Sequence, residues 1–416
     1  MSIKLRLTLM NFLQFFIWGT WLISLGGYMI QKLGFTGGTV GAVYATMGMA
    51  SLFMPALLGI VADRWVNSER LLGICHILGA VFLYLASTIT DPDQMYWVML
   101  VNSLVFMPTI ALNNTVSYNI MGQKKMDVIK DFPPIRVWGT IGFIIAMWVV
   151  DLGGWTLSPT QLYIGAIASL FLGVYAFTMP ACPPVKTERK RSMISALGLD
   201  ALVLFKQQKT AIFFLFSMLL GAALQITNTF GSPFLQDFAK NPRFMDSFAV
   251  THPGILMSVS QMSETLFILA IPFFLKRFGI KTVVLMSMFA WVLRFGLFGI
   301  GNPSEGLVFL ILSMIVYGIA FDFFNISGSL FIEQETEAKP EIRASAQGLF
   351  MVMTNGIGAT VGGLTSGWVV DLFTSADGMK DWTSIWFVFA GYALAIGVLF
   401  ALFFRYKHNP QPAPQK

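Results

Sequence analysis

The side chains that could do chemistry in this sequence are four ionisable residues inside long apolar stretches: Arg136, Glu264, Arg294 and Asp322. Asp322 is the only charged residue between Glu305 and Glu333. At about 1.5 Å per helical residue it lies roughly 16 Å from Glu333 and about 25 Å from Glu305, near the middle of a membrane-spanning helix. A carboxylate at that depth is costly and normally faces a bundle interior or a watery cavity. The two acids and two bases are therefore candidates for a functional site, and they balance well enough to pair inside a bundle.

Asp322 is the candidate for carrying protons. Burial favours the neutral form of a carboxyl group and a nearby cation favours the charged form, so a group balanced between the two can load and release a proton. Aromatic residues surround it in the sequence, Tyr317 and Phe321 among them. The alternative is an acid permanently paired with a neighbour on another helix.

Two further pairs of polar residues recur at helical spacing inside apolar stretches. Gln261 and Glu264 stand three residues apart, as do Gln225 and Asn228. Residues at this spacing share one face of a helix. Such pairs can donate to and accept from sugar hydroxyls, and they can equally clamp two helices together.

Arg136, Thr140 and Phe143 form a stripe on a fifth apolar stretch. Arg136 stands only a few residues inside this stretch, so it could extend to the membrane interface rather than face a ligand. Arg343 starts another apolar stretch in the same way, which favours the interfacial interpretation. The residues alone favour neither ligand binding nor an interfacial position for Arg136. Arg294 has only the Ser287 hydroxyl at helical spacing, and structural pairing is expected for it.

The elements that must position these residues are membrane helices. Of the 416 residues 56% are hydrophobic and 12% are charged, and the mean hydropathy is +0.69. This composition excludes a soluble domain. Stretches of roughly 20 apolar residues, long enough to cross a bilayer, predict an all-α membrane protein of twelve transmembrane helices. The predicted spans are 7–29, 39–61, 71–89, 95–118, 132–154, 160–180, 210–232, 254–275, 282–301, 306–332, 342–371 and 383–404.

The distribution of basic residues predicts the topology. If the N-terminus is cytoplasmic, the outside loops hold only Lys32, Lys240, Arg243 and Lys380, and the other loop Lys and Arg residues fall inside. This is a strong positive-inside bias. Both termini are then cytoplasmic, and the formal charge of +6 reflects topology rather than nucleic-acid binding.

A polar, basic stretch at 181–208 divides the chain into two predicted six-helix halves, 1–180 and 209–416, joined by a cytoplasmic linker. The halves echo each other: PPIR at 133–136 precedes Phe143 as PEIR at 340–343 precedes Phe350. Two similar halves joined in this way are typical of major facilitator transporters, whose substrate site lies between the halves.

The loop GIVADR at 59–64 resembles the major facilitator signature between the second and third spans. Longer stretches narrow the resemblance to the nucleoside:proton symporter family: FLQFFIWGTWLISLGGYM, FMPALLGIVADRW, FPPIRVWGTIGF, LQITNTFG and SMIVYGIAFDFFNISGS. The resemblance runs essentially from end to end. It implies the major facilitator fold and proton-driven nucleoside import by alternating access in a bacterial inner membrane. It also implies a gating role for the Asp63–Arg64 loop and favours substrate binding by Arg136, Thr140 and Phe143.

The predicted substrate-binding set combines aromatic and hydrogen-bonding side chains: Arg136, Thr140, Phe143, Gln225, Asn228, Gln261, Glu264, Tyr317 and Phe321. The predicted proton-coupling residues are Asp322 and Glu264. A nucleoside fits such a set through its flat base and its ribose hydroxyls. A nucleotide fits poorly, because one arginine among two acids is a weak phosphate site. A sugar suits the amides almost as well, so a proton-coupled sugar or drug carrier of the same fold stays open.

Other classes of protein are disfavoured by the sequence. No catalytic cluster or metal-ligand cluster is evident: the histidines His76, His252 and His408 are scattered, and Cys75 and Cys182 imply no disulfide framework. We therefore expect neither an enzyme nor a metal or other cofactor, with the proton gradient as the driving force. The expected partners are a nucleoside, protons and the lipid bilayer, without nucleic acid, and the protein is expected to be a monomer.

Overall fold

The computed structural model describes residues 2–184, 198–339 and 342–406. In these ranges the chain is helical, and its only β-type pairing is an isolated bridge between Thr374 and Lys380. The predicted linker 181–208 lies only partly within the described residues. Pro340 and Glu341, from the predicted repeat, lie outside them.

Long helices dominate both parts of the chain. The helices before the linker are α1 (Ile3–Gly19), α2 (Leu25–Gln31), α3 (Gly37–Arg64), α4 (Ser68–Thr88), α5 (Pro92–Gln123), α6 (Val128–Leu152) and α7 (Thr160–Ala176). The elements that follow are a 3-10 helix (Leu199–Lys206), α8 (Gln208–Asp237), a 3-10 turn (Phe238–Lys240), α9 (Phe248–Thr251), α10 (Pro253–Ile300), α11 (Leu307–Glu335), α12 (Arg343–Met351), a π-helical segment (Val352–Gly358), α13 (Ala359–Leu372) and α14 (Trp382–Phe403).

Side-chain caps fix the starts of several of these helices. The Thr36 hydroxyl accepts from the backbone N–H of Thr39 at 3.2 Å before α3. The Asp91 carboxylate accepts from the N–H of Gln94 at 2.9 Å before α5, whose first residue is Pro92. Such caps satisfy backbone donors that a helix start leaves free. Proline fits the first helical position because it has no N–H to satisfy.

The first predicted span, 7–29, is interrupted: α1 ends at Gly19 and α2 begins at Leu25. Backbone groups freed by such a break must find partners inside a membrane protein. The Tyr44 hydroxyl on α3 supplies two of them, since it donates to the Leu22 carbonyl at 2.6 Å and accepts from the Gly26 N–H at 3.1 Å. The Tyr44 hydroxyl therefore stabilises the break between α1 and α2.

Eight described helices are long and apolar enough to cross a membrane: α3, α4, α5, α6, α8, α10, α11 and α14. The sequence predicts twelve spans, and the difference has local causes. The spans predicted at 254–275 and 282–301 are two helical segments that meet at a kink at Gly279 (φ 74°, ψ 168°) with no intervening loop, and both lie within α10. The span at 7–29 contains the break described above, the one at 342–371 contains the π-helical segment, and α7 is short.

The helices pack as two groups, α1 to α7 and α8 to α14. In the first group α1 packs on α6, and α4 packs on α5 and α7; in the second, α10 packs on α11 and α14. The groups meet most closely where α3 crosses α13. There Gly41 leaves no room for a Cβ against the Gly363 carbonyl. We call the end of the bundle at the start of α3 the Gly37 end, and the opposite end the Arg64 end.

Candidate functional site

A cavity of about 550 Å³ lies between the two helix groups. Ligand sites commonly occupy about 300–1,000 Å³ and combine apolar walls with a few polar groups. Both groups contribute to the walls, which hold Phe15, Trp18, Asn114, Arg136, Gln225, Asn228, Phe321 and Asn355 among other residues. Four predicted binding residues, Arg136, Gln225, Asn228 and Phe321, are thus brought to one space.

Arg136 reaches the cavity from α6. Its guanidinium carbon lies 4.0 Å from the centre of the Phe15 ring, a cation–π contact with α1. Thr140, one turn further along α6, is half-buried, and Phe143 is buried against Trp18, with 6.3 Å between ring centres. Of the predicted stripe, Arg136 alone is part of the cavity wall. The binding role of all three residues stays a prediction.

Gln225 and Asn228 enter the cavity from α8. The Gln225 side chain is buried, and its amide donates to the Thr229 hydroxyl at 3.3 Å. Asn228 is half-buried. The i, i+3 spacing thus places both carboxamides at the same wall, where they can hydrogen-bond a polar ligand.

Behind Phe321 lies an aromatic and acidic layer shared by α10 and α11. Tyr317 and Phe321 stack with 5.7 Å between ring centres and 6° between ring planes. Tyr317 is buried, and Gln261 and Glu264 on α10 are half-buried. These three residues border the site without forming the wall described above.

The two acids and Arg136 form one electrostatic cluster. Glu264 interacts electrostatically with Arg136 and with Asp322. No ion pair within 4 Å joins these three residues in the described part of the chain. Asp322 is 4% exposed, and its Oδ2 atom has no hydrogen-bond partner among the described residues. An oxygen in this position can accept a proton without first breaking a bond to a neighbour.

Arg294 is fully buried, but Ser287 is not its partner. The guanidinium donates to the Ser313 carbonyl at 2.8 Å and to the Ser260 hydroxyl at 3.3 Å, and it stacks over the Tyr317 ring at 4.6 Å. Ser287 instead donates to the Ala320 carbonyl. The partners of Arg294 are far from it in the sequence, so residue spacing within one apolar stretch could not predict them.

Sequence reasoning missed several cavity-lining residues. Trp18 lines the cavity and also packs on Phe143. Asn114 and Asn355 are absent from the predicted binding set, although each is a polar residue in an apolar stretch, a pattern that can indicate a binding role. Asp63 and Arg64 are exposed at the end of α3, outside the cavity wall, and their gating role stays a prediction.

Comparison with known proteins places this site in context. A family model described as nucleoside H+ symporter matches residues 1–409. The chain is 60% identical to the xanthosine permease of Escherichia coli over 412 residues, 99% of this chain and 98% of the permease. It is 54% identical to the nucleoside permease NupG of Escherichia coli over 413 residues, again 99% and 98%. A crystal structure of the nucleoside transporter NupG matches with a TM-score of 0.92 at 54% identity, covering 98% of this chain and 100% of that one.

Proposed function

This chain belongs to the nucleoside H+ symporter family, and we propose that it imports nucleosides, xanthosine among them, by alternating access around the central cavity. It is a proton-coupled nucleoside transporter of the bacterial inner membrane, and its relatives are permeases rather than enzymes. The observation that carries the mechanism is a cavity between two helix groups that are joined at the Gly37 end by hydrogen bonds from Gly37 and Gly38 to Asp371.

The proposed topology has twelve crossings, with both termini and the Arg64 end in the cytoplasm. The positive-inside bias of the loops supports this orientation. The residues 1–180 and 209–416 are then the two halves that rock about the site, and the described conformation faces inward. The exposed Asp63 and Arg64 would latch the halves when the opposite conformation closes the cytoplasmic end.

The proposed substrate site centres on the shared cavity wall. Phe321 offers an aromatic face for the base, and Gln225 and Asn228 offer carboxamides for the ribose hydroxyls. Arg136 adds donors from the opposite group. Thr140, Phe143, Gln261, Glu264 and Tyr317 complete the predicted site in the layer around this wall.

The proposed proton site is the pair Asp322 and Glu264. Two carboxylates that repel each other favour uptake of one proton, and Arg136 close to Glu264 gives the remaining charge a partner. Protonation from outside removes buried charge and permits substrate to bind, so that proton and nucleoside move inward together. The proton gradient supplies the driving force without any cofactor, and we propose that a monomer is sufficient.

The experiment that tests the proposal measures uptake of labelled uridine, adenosine, inosine and xanthosine, with and without a protonophore. We expect accumulation that collapses with the proton gradient. In Asp322→Asn, which cannot load or release a proton, we expect accumulation to be lost while the substrate still equilibrates. Asp377→Asn is the matched control, because Asp377 lies in an exposed loop near the Gly37 end and accepts a hydrogen bond from Ser375 of the same loop.

Three outcomes would contradict the proposal. Accumulation by Asp322→Asn against a nucleoside gradient would refute the coupling role. Uptake that survives the protonophore would indicate facilitated diffusion. Uptake of sugars but not nucleosides would favour the sugar carrier.

A further inference from the structure

The π-helical segment Val352–Gly358 shapes one wall of the cavity. Helices on two sides contact its backbone. Gly356 packs against Leu52 of α3, and the carbonyl of Thr354 packs against Gly221 of α8. π-Helical turns are rare and are frequent at functional sites. The close contacts hold this widened turn in a fixed position beside the cavity.

Asn355 stands in the middle of this segment, and its side chain is exposed in the cavity. Among the described residues, the hydrogen-bond partner of its amide nitrogen is the Met351 sulfur at 3.5 Å, and sulfur is a weak acceptor. Asn355 and Phe321 also line a smaller adjoining cavity of about 10 Å³, together with Asn325. The Asn325 amide is engaged differently, since it donates to the Phe321 carbonyl at 3.2 Å. Asn355 therefore combines a carboxamide of unused bonding capacity with a neighbouring aromatic ring.

We propose that Asn355 is a specificity-determining residue that reads the edge of the nucleobase while the base stacks on Phe321. The inference rests on the proposed nucleoside transport and deepens it. A carboxamide supplies one donor and one acceptor side by side, a pair that can be bidentate to a base edge. The imide edge of uracil or xanthine offers a carbonyl acceptor next to an N–H donor, which this pair complements. Aromatic side chains stack with any base, so the ring gives affinity and the amide gives discrimination.

The test compares two nucleosides in the same cells expressing the full chain. Apparent affinities for uridine, whose imide edge has an acceptor beside a donor, and guanosine, whose N1–H and 2-amino group are two adjacent donors, are measured for the wild type, Asn355→Asp and Asn355→Ala. A carboxylate accepts but does not donate, so Asn355→Asp loses the bond to the uracil carbonyl and gains a second acceptor for the two guanine donors. We expect the uridine-to-guanosine affinity ratio to fall about tenfold in Asn355→Asp. In Asn355→Ala we expect both affinities to fall.

The control is Asn241→Asp, the same chemical change at an exposed asparagine outside the central cavity. Its ratio is expected to match that of the wild type. Because a ratio cancels differences in expression and coupling, an unchanged ratio in Asn355→Asp, with proton-driven uptake intact, would overturn the role of Asn355 alone. Absence of nucleoside uptake by the wild type would overturn the transport function and this inference with it.

Discussion

Different kinds of interaction are found at the two ends of the bundle. At the Gly37 end acidic side chains reach across from one helix group to backbone of the other. Asp371 accepts from the N–H groups of Gly37 and Gly38 at 2.6 and 2.7 Å. In the reverse direction, buried Asp151 accepts from the Ile255 N–H at 2.7 Å. Each carboxylate satisfies donors at the start of a helix in the opposite group, where partial positive charge favours an anion.

At the Arg64 end, by contrast, two ion pairs between described residues each lie within one group. Lys4 pairs with Asp131 at 3.6 Å in the first group, and Arg343 pairs with Glu333 at 3.0 Å in the second. Both bridges are partly exposed, and exposed bridges contribute little stability. The comparison shows how alternating access can be built: close backbone contact and helix caps seal one end, and the other end is left with contacts that separate with the halves.

Removing the backbone contact at the Gly37 end is expected to have the largest effect. A Cβ at Gly41 would overlap the Gly363 carbonyl and touch Gly367. Overpacking costs about 1–3 kcal/mol and sometimes more. Gly41→Val should therefore prevent this end from closing, and we expect nucleoside uptake to fall at least roughly tenfold.

Uptake and surface amount are measured together for this variant. Gly391→Ala serves as the control, because the position of a Cβ at Gly391 meets no atom within 4 Å. Normal uptake by Gly41→Val would mean that the tight crossing of α3 and α13 is unnecessary for transport.

A smaller effect is expected from removing the cap at the same end. Asp371→Ala deletes two hydrogen bonds from a carboxylate to the start of α3. Hydrogen bonds to charged groups contribute about 1.5–3 kcal/mol. The equilibrium between conformations closed and open at the Gly37 end should therefore shift roughly 10- to 100-fold toward the open one.

Labelling of a cysteine introduced at Val370, which is fully buried against Gly37 at the start of α3, reports that change as faster modification from outside. Asp371→Asn keeps one acceptor oxygen and should give an intermediate rate. Equal labelling rates in all three backgrounds would show that the cap does not hold this end closed.

The sequence predicts those features that depend on residues close to one another in the chain. Helical apolar stretches, the positions of Asp322 and Glu264 and the shared face of Gln225 and Asn228 follow from composition and periodicity. The break between α1 and α2 was not predicted, since its backbone partners come from Tyr44, on the next helix. The gap predicted between the spans 254–275 and 282–301 is only a kink at Gly279, where a positive φ redirects the chain beside the basic residues Lys276, Arg277 and Lys281.

Side-chain partners across helices were the least predictable part. The acids of the Gly37 end, Asp151 and Asp371, were not singled out, because each is placed near the end of an apolar stretch and looks like an ordinary boundary residue. Their significance appears only when the two groups are packed. The same holds for Asn355, whose exposure in the cavity depends on the π-helical turn around it.

The smallest effect is expected at the Arg64 end. Glu333 and Arg343 are 44% and 42% exposed and join α11 to α12 within one group. A bridge of this kind contributes about 0–1 kcal/mol, so Glu333→Gln should leave thermal stability and uptake nearly unchanged in the described conformation. Uptake and thermal unfolding of the purified protein check this. A large loss of uptake with unchanged unfolding would show that Glu333 finds a partner in the other group when this end closes. Contacts between the groups would then join the Gly37 end in the described conformation and the Arg64 end in the opposite conformation of the transport cycle.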